Sequence, residues 1–140
     1  MRRSSLKRAL LALVLLHPLA AKAEGVDPTR IVAIGGAVTE IVYALGLGDH
    51  VVGVDTTSVF PPEALRDKPN VGYMRALSAE GVLSLKPSAI LAIEGAGPPA
   101  TLKQLSDAGA PLVSVRDQTS PEGAAEKIET IGALLGAKAR

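Results

Sequence analysis

Arg30-Ile31-Val32-Ala33-Ile34-Gly35-Gly36 followed by Ala37-Val38-Thr39-Glu40-Ile41-Val42-Tyr43-Ala44-Leu45-Gly46 sets the fold class. Ile31 to Ile34 is an apolar run rich in β-branched residues, with no polar position to face water. Strands of that kind are buried on both faces, as in parallel sheets covered by helices. Beyond the glycine pair, Val38, Ile41, Val42 and Leu45 recur at i, i+3, i+4 and i+7. This is one stripe of an amphipathic helix, stopped by Gly46.

The same alternation continues along the chain. Val51-Val52-Gly53-Val54 reads as a second strand. Thr56 to Pro69 reads as loop, with Pro61-Pro62 opening a short helix, and Val71 as a short strand or bridge. Ser78 is an N-cap candidate, and Glu80 lies in the first turn, where the helix dipole favours negative charge. That helix ends by Leu85, ahead of Lys86-Pro87. Ala89 to Ile93 is a third strand, Glu94 to Pro99 a loop, and Thr101 to Asp107 a helix closed by Gly109. Pro111 to Val115 is a fourth strand. Pro121 opens a last helix, with Ala124, Ile128, Ile131 and Leu135 as its expected core stripe. The pattern predicts an α/β fold: a single open, mostly parallel sheet flanked by helices, with right-handed crossovers. Ligands of such sheets gather at the carboxyl ends of the strands. The loops expected there are Gly35-Gly36, Asp55 to Ser58, Gly72 to Arg75, Glu94 to Pro98 and Arg116 to Ser120. Asp55 and Glu94 are the carboxylates expected to be exposed on that rim.

Residues 1–23 have the layout of a secretory signal peptide. Arg2, Arg3, Lys7 and Arg8 form a basic region, Ala9 to Leu16 a short apolar region, and Ala21-Lys22-Ala23 a small-x-small cleavage site. The apolar run is too short to span a bilayer. Cleavage leaves residues 24–140 with ten basic residues against fourteen acidic ones, a net charge of −4. A mildly acidic chain argues against nucleic acid as a partner. The chain has no cysteine, so packing alone must stabilise an exported domain.

Several chemistries fail on inventory. A nucleotide fingerprint needs G-x-G-x-x-G, and Gly35-Gly36-Ala37-Val38-Thr39-Glu40 lacks the third glycine and adds a carboxylate. A hydrolase needs Ser, His and a carboxylate converging in space. After cleavage the one remaining histidine, His50, is expected at a helix C-terminus on the surface. Zinc-type sites need several imidazole or thiolate ligands. The chain is read as a binding protein and not an enzyme.

The chain holds two tyrosines, one phenylalanine and no tryptophan, so each aromatic requires a positional explanation. Tyr43 falls off the apolar stripe and is expected to pack at the helix flank. Tyr73 lies in Val71-Gly72-Tyr73-Met74-Arg75-Ala76-Leu77-Ser78, after a glycine and two residues before a cation. A phenolate is one of the few side chains that ligates ferric haem iron, and the porphyrin itself fills four positions. A nearby cation favours the phenolate, so Arg75 either supports it or pairs with a haem propionate. The competing readings are a loop tyrosine plugged against the core and a solvated loop cation.

These segments resemble the periplasmic haem-binding proteins of ABC-type haem uptake systems, within a wider class that includes cobalamin and siderophore binders. The match is carried by Arg30 to Gly46, by Val52-Gly53-Val54-Asp55-Thr56-Thr57-Ser58, by Tyr73 through Leu85-Lys86-Pro87, and by Glu94-Gly95-Ala96-Gly97-Pro98-Pro99. The resemblance implies that Tyr73 is the axial ligand of ferric haem, with Arg75 and Met74 completing the cofactor-binding set. It implies delivery to an inner-membrane ABC permease, with Glu94 as the docking carboxylate, by a protein that acts as a monomer. It further implies two lobes joined by a long helix that would begin at Ala139-Arg140. Residues 24–140 are therefore expected to be the N-terminal lobe alone, a fragment or truncated product, and to bind haem weakly. The alternatives are a cobalamin or ferric-siderophore cargo, an enzyme on the same layer, and a non-functional fragment.

Overall fold

The structure is a computed structural model that describes residues 25–137. The expected signal peptide and the expected helix start at Ala139-Arg140 lie outside those residues. Four strands, β1 (Ile31–Ile34), β2 (Val51–Val54), β3 (Ala89–Ile93) and β4 (Leu112–Val115), form one sheet in the order β2-β1-β3-β4. All three pairings are parallel, and Ile31 to Ile34 lie opposite Ala89 to Ala92. Among the described residues five α-helices flank the sheet: α1 (Gly36–Ala44), α2 (Pro62–Asp67), α3 (Ala79–Ser84), α4 (Pro99–Asp107) and α5 (Pro121–Leu134).

The two central strands are buried along their whole length, as their apolar runs predict. A period of two sorts their side chains into two cores. Ile31, Ala33, Leu91 and Ile93 join Val38 and Val42 of α1 and Ile131 of α5. Val32, Ile34, Ile90 and Ala92 join Val82 of α3 and Leu105 of α4. Helices α1 and α5 therefore cover one face, and α3 and α4 the other. The chain leaves β1 for one side of the sheet and β3 for the other, so the strand order reverses between them. That switch point is where an open α/β sheet presents its crevice.

Local chemistry sets the helix starts. Ser78 Oγ accepts the Gly81 N–H at 3.2 Å, and Ser120 Oγ accepts the Gly123 N–H at 3.1 Å. Prolines open α2, α4 and α5, where a missing N–H costs nothing.

The expected core stripe of α5 holds at Ile131 and Leu135 and is displaced in the first two turns. Gly123, Lys127, Ile131 and Leu135 face inward, whereas Ala124 is exposed and Ile128 is 38% exposed. Two contacts fix this rotation. A Cβ at position 123 would overlap the Gln118 side chain, so the glycine must face β4 and its following loop. Lys127 lays its aliphatic stem into the interface and donates from Nζ to Asp117 Oδ1 at 2.9 Å. A charged residue thus occupies a position that a hydrophobic pattern assigns to the surface. The expected bridge at Val71 falls instead on Asn70, opposite Val54.

Tyr43 packs at the flank of α1 against the first core, as expected. Its hydroxyl is buried without a hydrogen-bond partner among the described residues. Burial, then the charges of Glu63, Asp67 and Asp49, hold the phenol above its ordinary value of 10.0. A raised folded-state value favours the neutral form, so stability is full below pH 10 and falls as the pH rises through the folded value. Tyr43→Phe removes an unpaired buried hydroxyl. It is expected to leave stability at pH 7 unchanged or raised by up to about 1 kcal/mol. It should also reduce the loss of stability above about pH 10. Urea unfolding at pH 7 and pH 10.5 measures both effects; a steeper alkaline loss in the variant would contradict them.

Candidate functional site

The carboxyl edge of the sheet is built by the loops after each strand, together with the segment that carries Tyr73. Residues 70–72 run beside the outer end of β2. Val71 N–H donates to Val54 O at 2.9 Å, and Thr56 N–H donates to Gly72 O at 3.0 Å. Asn70 Oδ1 accepts the Gly72 N–H at 2.8 Å, which turns the chain. Gly72 has φ +99°, a backbone conformation that a Cβ disfavours, and this aims the next residue away from the sheet edge. Ala76 N–H then closes a turn on Tyr73 O at 2.8 Å. Beyond it the segment crosses to the loop after β3: Gly97 N–H donates to Met74 O at 2.8 Å, and Leu77 N–H to Gly97 O at 3.0 Å. Buried Val71 and Leu77 anchor the two ends in the second core.

Tyr73 stands at the apex of this brace with 47% of its surface exposed. It does not plug the core. Arg75 is also exposed and forms no ion pair with the described residues. Met74 differs from both: it is half-buried and packs against both cores. Its side chain seats the loop, so any ligand contact from Met74 is confined to the part left uncovered. Tyr73 and Arg75 are thus free side chains on a backbone tied to two strand ends.

Asp55 departs from expectation. It is completely buried, not exposed on the rim. Its Oδ1 accepts the Gly35 N–H at 2.8 Å and the Ser58 hydroxyl at 3.1 Å, and its Oδ2 accepts the Thr57 N–H at 3.1 Å. The Thr57 hydroxyl also donates to the carboxylate, and in turn accepts the Gly36 N–H at 2.9 Å. Since Ser58 spends its proton on Asp55, the 2.7 Å contact between Thr39 Oγ1 and Ser58 Oγ has Thr39 as donor. This network satisfies a buried carboxylate with amide and hydroxyl donors and ties the β1–α1 turn to the loop after β2. Asp55 is a brace of the rim and not an acid or base on it.

Glu94 is exposed after β3, and its Oε2 accepts the Asp117 N–H at 3.2 Å. His50 precedes β2 and so lies at the amino edge, away from this rim. Its Nδ1 is 2.9 Å from Pro28 O; a carbonyl only accepts, so Nδ1 carries the proton. The rim thus brings together no histidine, serine and carboxylate. Among the described residues no group of three or more His, Cys, Asp or Glu is placed to hold a metal ion.

Sequence reasoning overlooked Val59 and Phe60. They are 66% and 59% exposed, at the tip of the loop after β2. The signal was available: Phe60 is the sole phenylalanine, set in a loop between Ser58 and Pro61-Pro62.

An open parallel sheet with a braced rim at its switch point, and free side chains on that rim, is the architecture in which ligands gather at the carboxyl edge. The chain belongs to the Periplasmic binding protein family, which it matches over residues 31–140. This is a family of substrate-binding proteins and not a class of enzymes. The chain is 41% identical over 114 residues to the Uncharacterized ABC transporter substrate-binding lipoprotein YvrC of Bacillus subtilis (strain 168), covering 80% of this chain and 36% of that protein. It is 33% identical over 104 residues to the Vitamin B12-binding protein of Photorhabdus laumondii, covering 74% of this chain and 37% of that one. Its fold superposes on a periplasmic heme binding protein from Pseudomonas aeruginosa with a TM-score of 0.74 and 42% identity, over 78% of this chain and 39% of the other. The chain therefore spans little more than a third of the length of these relatives. Relatives named for heme and for vitamin B12 thus stand side by side.

Proposed function

We propose that this chain is the N-terminal lobe of a periplasmic protein that binds ferric haem and delivers it to an ABC-type permease for haem and iron uptake. The observation that carries this reading is the placement of Tyr73. A phenol is held out of the core at the carboxyl edge, on a backbone tied to the ends of two strands, with the free cation Arg75 two residues on. Similarity to a periplasmic heme binding protein supports the same cargo. Tyr73 ligates the iron, Arg75 meets a propionate, and Met74 holds the loop. Residues 1–23 export the protein as a signal peptide, residues 24–140 form the lobe, and the lobe acts as a monomer. Glu94 offers the permease a carboxylate fixed by the Asp117 amide.

The rim is open on one side, so the chain alone covers only part of a macrocycle. At about 25 cal/mol per Å², each 100 Å² left wet forfeits roughly 2.5 kcal/mol of binding. Hemin is therefore expected to bind this chain with a dissociation constant in the micromolar range or weaker. Titration followed by absorption spectroscopy, beside an identical titration with cobalamin, tests the reading. A saturable tyrosinate-type ferric spectrum is the expected result. Saturable cobalamin binding with no hemin spectrum would transfer the function to the second reading, which the similarity to a vitamin B12-binding protein favours. No binding of either would leave the chain a non-functional fragment.

A further inference from the structure

We infer that Val59 and Phe60 form a second, metal-independent half of the ligand site: an apolar finger that lies against the flat face of a porphyrin. The inference rests on the haem reading above and names how the rim would recognise the organic ring apart from its iron. Among the described residues four large hydrophobic side chains are exposed, and three of them, Val59, Phe60 and Tyr73, belong to the two segments joined at the carboxyl edge by the Thr56–Gly72 hydrogen bond. The fourth, Ile128, sits on α5.

The finger is held in place, not merely exposed. Ser58, the residue before it, is fully buried and bonded to Asp55 and Thr39. Ser58 N–H donates to Asp55 O at 3.1 Å, and Val59 N–H donates to Thr57 O at 2.9 Å. On the far side, Pro61 O accepts the Ala64 N–H at 2.9 Å, and Ala64 is buried in the first core. The backbone is thus fixed on both sides of two apolar side chains that face water. A side chain held rigidly against solvent gains nothing by folding, and such groups on a braced loop mark a binding surface. Neither Val59 nor Phe60 carries a hydrogen-bonding group, so the complementary surface is apolar. A ring that Tyr73 grips only through its metal needs a second contact to fix its tilt, and an aromatic face against a conjugated macrocycle supplies it.

Iron-free protoporphyrin IX separates the two halves, because it offers the ring without a metal for Tyr73. The chain, Phe60→Ala, Val59→Ser and Tyr73→Ala are titrated with protoporphyrin IX by fluorescence and with hemin by absorption. Far-UV circular dichroism checks each fold; residues this exposed are expected to be replaceable without unfolding. The expected result is that Tyr73→Ala keeps protoporphyrin IX binding, whereas Phe60→Ala weakens it about tenfold, the size of one aromatic contact. Val59→Ser should weaken it less, by roughly threefold, for the smaller apolar area lost. With hemin, Phe60→Ala should lose affinity yet keep the tyrosinate-type spectrum. Protoporphyrin IX binding that is absent, or unchanged in Phe60→Ala, while hemin still gives a Tyr73-dependent spectrum overturns the finger and spares the haem reading. No hemin spectrum in the unmodified chain overturns that reading and the finger with it.

Discussion

Asp55→Ala is expected to lower the free energy of unfolding by about 3–5 kcal/mol, from a total that for a domain of this kind is on the order of 5–15. The methyl group cannot accept the Gly35 and Thr57 amides that now meet the carboxylate at 2.8 and 3.1 Å. Each buried donor left without a partner costs about 1–3 kcal/mol. The hydroxyls of Thr57 and Ser58 lose their acceptor as well, so the rearrangement reaches Gly36 and Thr39. Asp55→Asn distinguishes a general need for bulk from a need for two acceptors. Its single oxygen can still serve Gly35, but its NH2 then faces the Thr57 N–H, donor against donor. A loss of about 2–3 kcal/mol is expected, between wild type and alanine. Urea denaturation followed by circular dichroism at pH 7 measures both. An alanine variant within about 1 kcal/mol of the parent, at equal urea slope, would show that water satisfies these donors and that Asp55 is not the brace described.

What the sequence conveyed and what it concealed follow from one physical division. Central strands such as Ile31–Ile34 and Ala89–Ile93 are legible because both faces are buried, and no position can be polar without cost. A cap such as Ser78 is legible because its partner lies three residues away. Asp55 was misread because the amide that anchors it, Gly35 N–H, lies twenty residues back. A loop aspartate looks solvated until the fold brings an amide to it. Lys127 was passed over for a related reason: hydrophobic periodicity treats lysine as a surface residue, whereas its stem packs and its charge finds Asp117 ten residues earlier. Its burial shifts the first half of the α5 stripe by one position and exposes Ala124 and Ile128, while Ile131 and Leu135 stay in the core as expected. Tyr73 was legible as a candidate from the scarcity of aromatics and its loop position, and Arg75 from lying two residues on. The reason that Tyr73 points outward was not legible. It depends on backbone bonds to Thr56 and Gly97, which no local pattern encodes. Phe60 met the same scarcity argument as Tyr73 and was passed over because it lacks a ligating atom.

Tyr73→Phe is expected to abolish the tyrosinate-type hemin spectrum and to weaken hemin binding by on the order of a hundredfold, about 2.7 kcal/mol. The substitution keeps the ring and removes one oxygen. Since the side chain is already 47% exposed, the loop braced by Thr56, Gly97, Val71 and Leu77 has no reason to move. The loss therefore reports the iron–oxygen bond and not the packing. Tyr73→Ala should give the same spectral loss and a further drop of a few-fold, the ring's own apolar contact. Tyr73→His should restore a protein-bound ferric spectrum of a different, imidazole type, because histidine is itself an axial ligand of haem iron. That recovery would show that position 73 faces the iron whatever atom it presents. Arg75→Ala should cost only a few-fold in affinity, and that cost should shrink as salt is added, since an exposed charge pair contributes at most about 1 kcal/mol and is screened. Wild-type affinity and spectrum in Tyr73→Phe would remove Tyr73 from the iron. A tyrosinate-type spectrum that survives the loss of this phenol would have to come from another ligand, and the haem reading would lose the observation that carries it. The order of these four variants, and not the loss in any one, therefore identifies the ligand.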